Sequence, residues 1–267
     1  LHIFSISFYT IYMESFDIQK DLENGLKNKE FQVYLQPKFD CRTEKMVGAE
    51  ALVRRVTNGI LVMPDSFISF YEQAGIITYL DNFVLEEVCK LLQRWQEFGK
   101  YCYVSVNESA KHLSNKNHGI EVMKILNHYK VSPHFIELEV TESAIIHDME
   151  LAKKAEERMH ELGFIISMND FGVGYSSFSV LKNIPIDVLK IDKIFLEGLL
   201  NKRRFQIILE SIIDMAHKLR MITVMEGVES KEEVEYLKEI GCDVLQGYYF
   251  DKPLPVQEFE KKYIYHS

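Results

Sequence analysis

Short runs in which apolar residues alternate with polar ones recur along the chain, separated by longer stretches whose apolar residues return every three or four positions. The short runs fit strands and the longer ones amphipathic helices. Asp17 to Lys29 has helical spacing at Ile18, Leu22 and Leu26, with Asp17 as N-cap. Strands are predicted at Phe31 to Gln36 and Met46 to Arg54, joined by a polar connection. Pro64 opens a helix reaching Ala74, and the stretch from Ile77 to Phe98 forms a long helix that closes near Gly99. From there the chain alternates. Strands at Tyr101 to Asn107, Ile136 to Thr141, Phe164 to Asp170, Val188 to Asp192, Ile222 to Glu226 and Asp243 to Tyr249 are interleaved with helices near 120–129, 149–162, 205–219 and 231–240. A last helix follows Pro253.

Counted from Phe31, this gives eight strands with helices mostly between them, in about the length of a TIM-like (β/α)8 barrel. A doubly wound open α/β sheet is the alternative. No Pro-, Gly- or Ser-rich linker divides the chain, so residues 17–267 read as one barrel domain. Residues 1–16 read as the remnant of an upstream region or linker: apolar and aromatic, without a basic leader, and too short to span a bilayer. Because the chain starts on Leu1, it reads as a piece of a longer polypeptide with a missing upstream sensory or membrane module.

Composition narrows the class. The 267 residues are 47% hydrophobic and 27% charged, ordinary globular material. A formal net charge of −9 without a Lys- or Arg-rich block argues against a surface for duplex nucleic acid, although a bound cation could still draw a small anionic ligand. Cys41, Cys89, Cys102 and Cys242 show no metal-type spacing and fit reduced core thiols in a cytoplasmic domain.

The strands end, one after another, on groups that could hold a metal or a phosphate: Glu50, Asn107, Glu139, Asn169 with Asp170, Lys190, Glu226 and Gln246. Carboxylates near a core must be solvated, paired or bound to a cation, and barrel enzymes build their sites at the C-terminal strand ends. Each residue alone has a blander reading: Glu50 in an ion pair with Arg54 or Arg55, Asn107 in a turn, Glu142 or Glu229 at a helix start. Glu137 and Glu139 share a face, and only position favours Glu139. The segment from Asn169 to Ser177, with Gly172 and Gly174, is either a site loop or a strand-to-helix connector. Lys190 interrupts an apolar strand, where a lysine needs a partner.

Taken together, Glu50-Ala51-Leu52 with Arg54, Leu35-Gln36-Pro37, Val106-Asn107, Glu139 to Glu142, Asp170 to Ser177, Leu189 to Asp192, Glu226 to Glu229 and Gln246 to Pro255 resemble the EAL domain family. The resemblance runs from about Glu30 to Phe259 and implies cyclic di-GMP phosphodiesterase activity on a barrel whose first strand is antiparallel. It implies two Mg²⁺ or Mn²⁺ ions on Glu50, Asn107, Glu139, Asn169, Asp170 and Glu226. Lys190 would contact the attacking water or the phosphate, Gln246 would help hold the water, and Gln36, Leu52 and Arg54 would contact the nucleotide. Glu142 would tether the loop from Phe171 to Ser177, which in relatives couples a homodimer to the metal site, and Glu229 would support the site from behind.

Two residues depart from the pattern. Glu108 stands where the family usually has Leu, and Asn169 replaces the first residue of an Asp-Asp pair. An amide oxygen can coordinate a metal, but it brings no charge and cannot bridge two cations, so weaker metal binding is expected. A loss of about 3 kcal/mol in transition-state stabilisation would slow the reaction on the order of 100-fold. The expected function is therefore hydrolysis of cyclic di-GMP to linear pGpG, with reduced activity. A cyclic di-GMP receptor without turnover is the alternative, and a purely structural or protein-interaction module is a third reading.

Overall fold

The computed structural model describes residues 18–172, 177–199 and 202–265, with the side chain of Ser177 left aside. Residues 1–17 and most of the loop 171–177 lie outside the described residues.

Helix α1 (Ile18–Lys27) leads into β1 (Phe31–Asp40), which turns back on β2 (Met46–Thr57). The strand runs beyond its expected end, through Pro37. That residue lies between the stretches of β1 paired to other strands on its far side, where a missing N–H costs little. A short β3 (Ile60–Val62) folds onto β2 across Asn58-Gly59, both at positive φ. Asn-Gly is the sequence signal for such a hairpin, so this strand was readable although no periodicity announced it.

The predicted helix from Pro64 to Ala74 is broken. Pro64–Ser66 form a 3₁₀ turn and only Ile68–Gln73 (α2) are α-helical. Then come α3 (Ile77–Glu97), β4 (Tyr103–Asn107), α4 (His118–Tyr129) and β5 (Ile136–Thr141). A short α5 (Glu142–His147), α6 (Met149–Glu161), β6 (Ile165–Phe171), α7 (Ser177–Asn183) and β7 (Val188–Ile191) follow, then α8 (Arg203–Lys218), β8 (Ile222–Met225), α9 (Lys231–Glu239), β9 (Val244–Leu245), β10 (Leu254–Pro255) and α10 (Val256–Phe259).

The sheet closes. β2, β4, β5, β6, β7, β8 and β9 pair in parallel in that order, and β1 completes the ring by pairing antiparallel with both β2 and β9. The eight-stranded barrel and its reversed first strand are therefore as expected, and the open sheet is not. Helices cover the outer surface, and the buried apolar residues of strands and helices form one large core, with Leu35, Ile136, Ile166, Leu189, Val88 and Trp95 among the most enclosed. A smaller cluster around Leu22, Phe31, Phe67 and Tyr71 seats α1. Arg55 pairs there with Asp21 at 2.7 Å and Glu30 at 2.8 Å. All four cysteines are buried and free.

The last barrel strand is shorter than expected, two residues in place of Asp243 to Tyr249. Beyond Leu245 the backbone folds over Val228: the Val228 N–H donates to the Gln246 carbonyl, and the Tyr249 N–H to the Val228 carbonyl. Gly247 makes this approach possible, since a Cβ there would sit 2.1 Å from the Val228 carbonyl oxygen. Backbone on both sides cannot yield as a side chain can. Gly247→Ala is expected to cost about 3 kcal/mol in urea denaturation, and unchanged stability would contradict the packing.

Candidate active site at the barrel mouth

Strand register decides which side chains meet. Gln36 pairs with Glu50, Glu50 with Ser105, and Asn107 with Glu139, so these residues share the inner face. Inside the closed ring the charged groups are buried and pair with one another. Lys190 is fully buried and donates to Glu139 at 2.5 Å and to Glu50 at 3.4 Å, with Glu226 at 2.8 Å. One layer deeper, Lys38 bridges Glu137 at 3.1 Å and Glu139 at 3.2 Å. Glu137 and Glu139 thus differ as position suggested: only Glu139 is bonded to Lys190. Lys38, unremarked in the sequence, is its counterweight from below.

These charges set one another's protonation. Three carboxylates outweigh burial and raise the pKa of Lys190 well above the ordinary range. Burial would push Glu139 up, but Lys190 and Lys38 hold it at about 2. Glu226 goes the other way, to about 7, through burial and the nearby charges of Glu50 and Glu139. Burial also raises Asp170. Carboxylates that are pushed up by burial and by each other are those a cation would relieve.

Amides complete the inner ring. Gln246 donates through Nε2 to Glu50 at 2.7 Å and to Gln36 at 3.2 Å, while its Oε1 is buried without a partner. Asn107 donates to Glu50 at 3.1 Å. Gln36 in turn donates to the Asp251 carbonyl at 3.2 Å.

β6 departs from regular pairing at the residues of most interest. Met168 pairs with Leu189 and Phe171 with Ile191, so Asn169 and Asp170 together stand opposite Lys190 alone. Asp170 takes φ 59°, the left-handed region that Asp and Asn tolerate better than most residues. This bulge overrides the alternation that would send the two side chains to opposite faces. Asn169 lines the mouth, and Asp170 comes together with Asp192 and Glu226, their ligand atoms within 4.8 Å of one another. Asp192 belongs to the Leu189–Asp192 motif but was not singled out as a ligand. It lies just beyond the end of β7, where it also caps the following 3₁₀ turn by accepting from the Ile194 N–H at 2.8 Å.

Above these groups opens a cavity of about 340 Å³, in the range of small-ligand sites. Gln36, Glu50, Leu52, Asn169, Glu226 and Gln246 line it, with Glu229 and Tyr248 at its edge. Arg54 follows Leu52 on the same face of β2, its guanidinium 5.7 Å from the Tyr34 ring and bonded to the Val53 carbonyl at 2.8 Å. Glu142, buried in the first turn of α5, accepts from the Gly172 N–H at 3.4 Å and so reaches the start of the loop it was expected to tether. The Glu229 side chain is exposed, and the capping box of α9 is made by Ser230 and Glu233.

Carboxylates, amides and a buried lysine converge at the C-terminal strand ends of a closed barrel, where barrel enzymes build their sites, in a set of oxygen donors that suits hard divalent cations. The EAL domain family matches residues 19–253, and the chain belongs to it. It is 38% identical to the signaling protein YkoW of Bacillus subtilis over 90% of this chain and 30% of that protein. It is 34% identical to the cyclic di-GMP phosphodiesterase NbdA of Pseudomonas aeruginosa, over 93% of this chain and 32% of that one. The solved structure of PaMucR phosphodiesterase in complex with c-di-GMP superposes with a TM-score of 0.84 at 31% identity, covering 91% of this chain and 99% of the other. The chain spans about a third of the length of the curated relatives it matches. Among the described residues no helix is long and apolar enough to cross a membrane.

Proposed function

We propose that this domain hydrolyses cyclic di-GMP to linear pGpG with two divalent cations, Mg²⁺ or Mn²⁺, at the barrel mouth. The observation that carries the reading is the convergence of Asp170, Asp192 and Glu226 beside Glu50 and the Lys190 ammonium, below a ligand-sized cavity. The donor set fits the ions. It consists of carboxylate and amide oxygens, which suit hard cations, and Gln246 Oε1 is an acceptor with no hydrogen-bond partner among the described residues. Glu50, Asn107, Glu139, Asn169, Asp170 and Glu226 are the proposed ligands, and Asp192 joins them.

When bound, the cations would lower the pKa of a water and stabilise negative charge on the phosphoryl and leaving oxygens. The chain's own residues do the rest. Lys190 holds Glu50, Glu139 and Glu226 in place and keeps a positive charge beside the phosphate. Gln246 Oε1 accepts a hydrogen from the attacking water and orients it. Gln36, Leu52 and Arg54 hold the nucleotide on the β2 side. The water oxygen bonds to phosphorus and loses a proton to solvent, one P–O3′ bond breaks, and the 3′ oxygen takes a proton from solvent and leaves as a hydroxyl. Glu142 fixes the start of the loop after β6, and Glu229 supports the rim. A homodimer, a cytoplasmic location and an upstream signalling module in the same polypeptide belong to the same reading.

Purified protein with Mn²⁺ is expected to convert cyclic di-GMP to pGpG, and Glu50→Gln is expected to reduce the rate at least on the order of 100-fold. Equal product from both proteins would reject the assignment, and saturable binding without product would make the domain a receptor.

A further inference from the structure

On the other side of the β4 wall a second group of polar side chains comes together. Glu108 directly follows Asn107, and strand alternation turns it away from the barrel interior towards the helices. His112 comes from the 3₁₀ turn Ala110–Ser114, His118 from the first residue of α4 and Glu156 from the middle of α6. Ligand atoms of Glu108, His112 and His118 lie within 4.8 Å of one another, and the two imidazole rings are 4.0 Å apart. With Glu156 they line a small space of about 10 Å³, room for a single water-sized sphere and too little for an organic ligand.

The hydrogen bonds of this cluster stop half-way. His112 Nε2 bonds Asp81 at 3.0 Å, and Asp81 also accepts from the Ser109 N–H at 3.2 Å. His118 Nε2 bonds Glu108. A carboxylate on one ring nitrogen is the arrangement that orients a metal-binding histidine through the other. Both Nδ1 atoms are buried without a partner among the described residues, and so are both carboxylate oxygens of Glu156, a residue only 1% exposed. Leaving a buried polar group unmet costs about 1–3 kcal/mol, and a buried carboxylate costs more. Burial and the charge of Glu108 push the Glu156 carboxyl far up, against the pull of Arg158. A divalent cation in the space these residues line would give the unmet atoms a partner and separate the two carboxylates.

We propose that His112, His118 and Glu156 bind one transition-metal ion of the zinc type, with Asp81 and Glu108 orienting the two imidazoles from behind, distinct from the cations at the barrel mouth. Two imidazoles with a carboxylate suit Zn²⁺, whereas Mg²⁺ and Ca²⁺ prefer oxygen alone. The ion would tie the end of β4, and with it Asn107, to α4 and α6.

The mouth offers no imidazole among the described residues, which makes the two sites separable. Tag-free full chain is stripped with a chelator and titrated with Zn²⁺, beside Glu226→Gln and His118→Gln. Wild type and Glu226→Gln are expected to bind one tight Zn²⁺, with His118→Gln weaker on the order of 100-fold. X-ray absorption at the zinc edge should show imidazole scattering in the first two proteins. Zinc held by His118→Gln as tightly as by wild type, or a zinc spectrum of Glu226→Gln without imidazole, overturns the site. The spectrum decides the matter even where His118→Gln does not fold.

Discussion

Asn169→Asp is expected to raise the rate of cyclic di-GMP hydrolysis on the order of 100-fold and to lower the Mn²⁺ concentration needed for half-maximal rate. The local geometry gives the reason. Asn169 Oδ1 accepts from the Asp170 N–H at 3.0 Å, so the amide's one oxygen is shared between that bond and any cation, and its other atom, Nδ2, is a donor that no cation can use. A carboxylate could keep that bond with one oxygen and offer the other to a cation, restoring both charge and a bridging ligand. About 3 kcal/mol of recovered transition-state stabilisation corresponds to the stated gain. Before metal is added, the same change brings another negative charge beside Asp170, Asp192 and Glu226. The metal-free variant should therefore melt below wild type, and added Mn²⁺ should raise its melting temperature by more. If neither rate nor metal response moves, position 169 does not limit the site and the receptor reading gains.

Removing the central cation has the largest expected cost to stability. Lys190→Met fits the volume but leaves Glu50, Glu139 and Glu226 facing one another in the barrel without their shared partner. Breaking a buried pair of this kind typically costs about 3–5 kcal/mol, because the stranded charges stay buried. Hydrolysis should fall to background in the same variant. A second substitution separates the two effects: Lys190→Met with Glu139→Gln should regain part of the stability and none of the activity. Denaturant titration that finds the double variant less stable than the single one would show that Glu139 is supported mainly by Lys38, and the account of Lys190 as the common partner would fail.

Much of this architecture was legible because a barrel strand exposes its inner residues at every second position. The alternation gave the strands, and their polar C-terminal ends gave Glu50, Asn107, Glu139, Lys190, Glu226 and Gln246, which the closed sheet brings together. What stayed hidden depends on contacts between elements. Parity alone could not separate Glu137 from Glu139, since the difference lies in the neighbouring strands that deliver Lys38 and Lys190. The truncation of β9 depends on Val228 approaching Gly247 from another loop. Asp192 lies one residue past its strand and reads as a cap until Asp170 and Glu226 are seen beside it. His112 and His118 carry no recognisable spacing, because Glu156 reaches them from a helix far along the chain.

The bulge in β6 also governs what leaves the strand. Phe171 regains its pairing with Ile191 and its buried position because two residues, not one, were used opposite Lys190. Gly172 then starts the next loop against the Phe195 ring, where no Cβ would fit, with its N–H turned to Glu142. The placement of Gly172 thus depends on the same two residues that the bulge brings to the mouth. The bulge therefore serves two ends at once, placing Asn169 and Asp170 at the barrel mouth and setting Phe171 and the Gly172 peptide against the wall of the barrel.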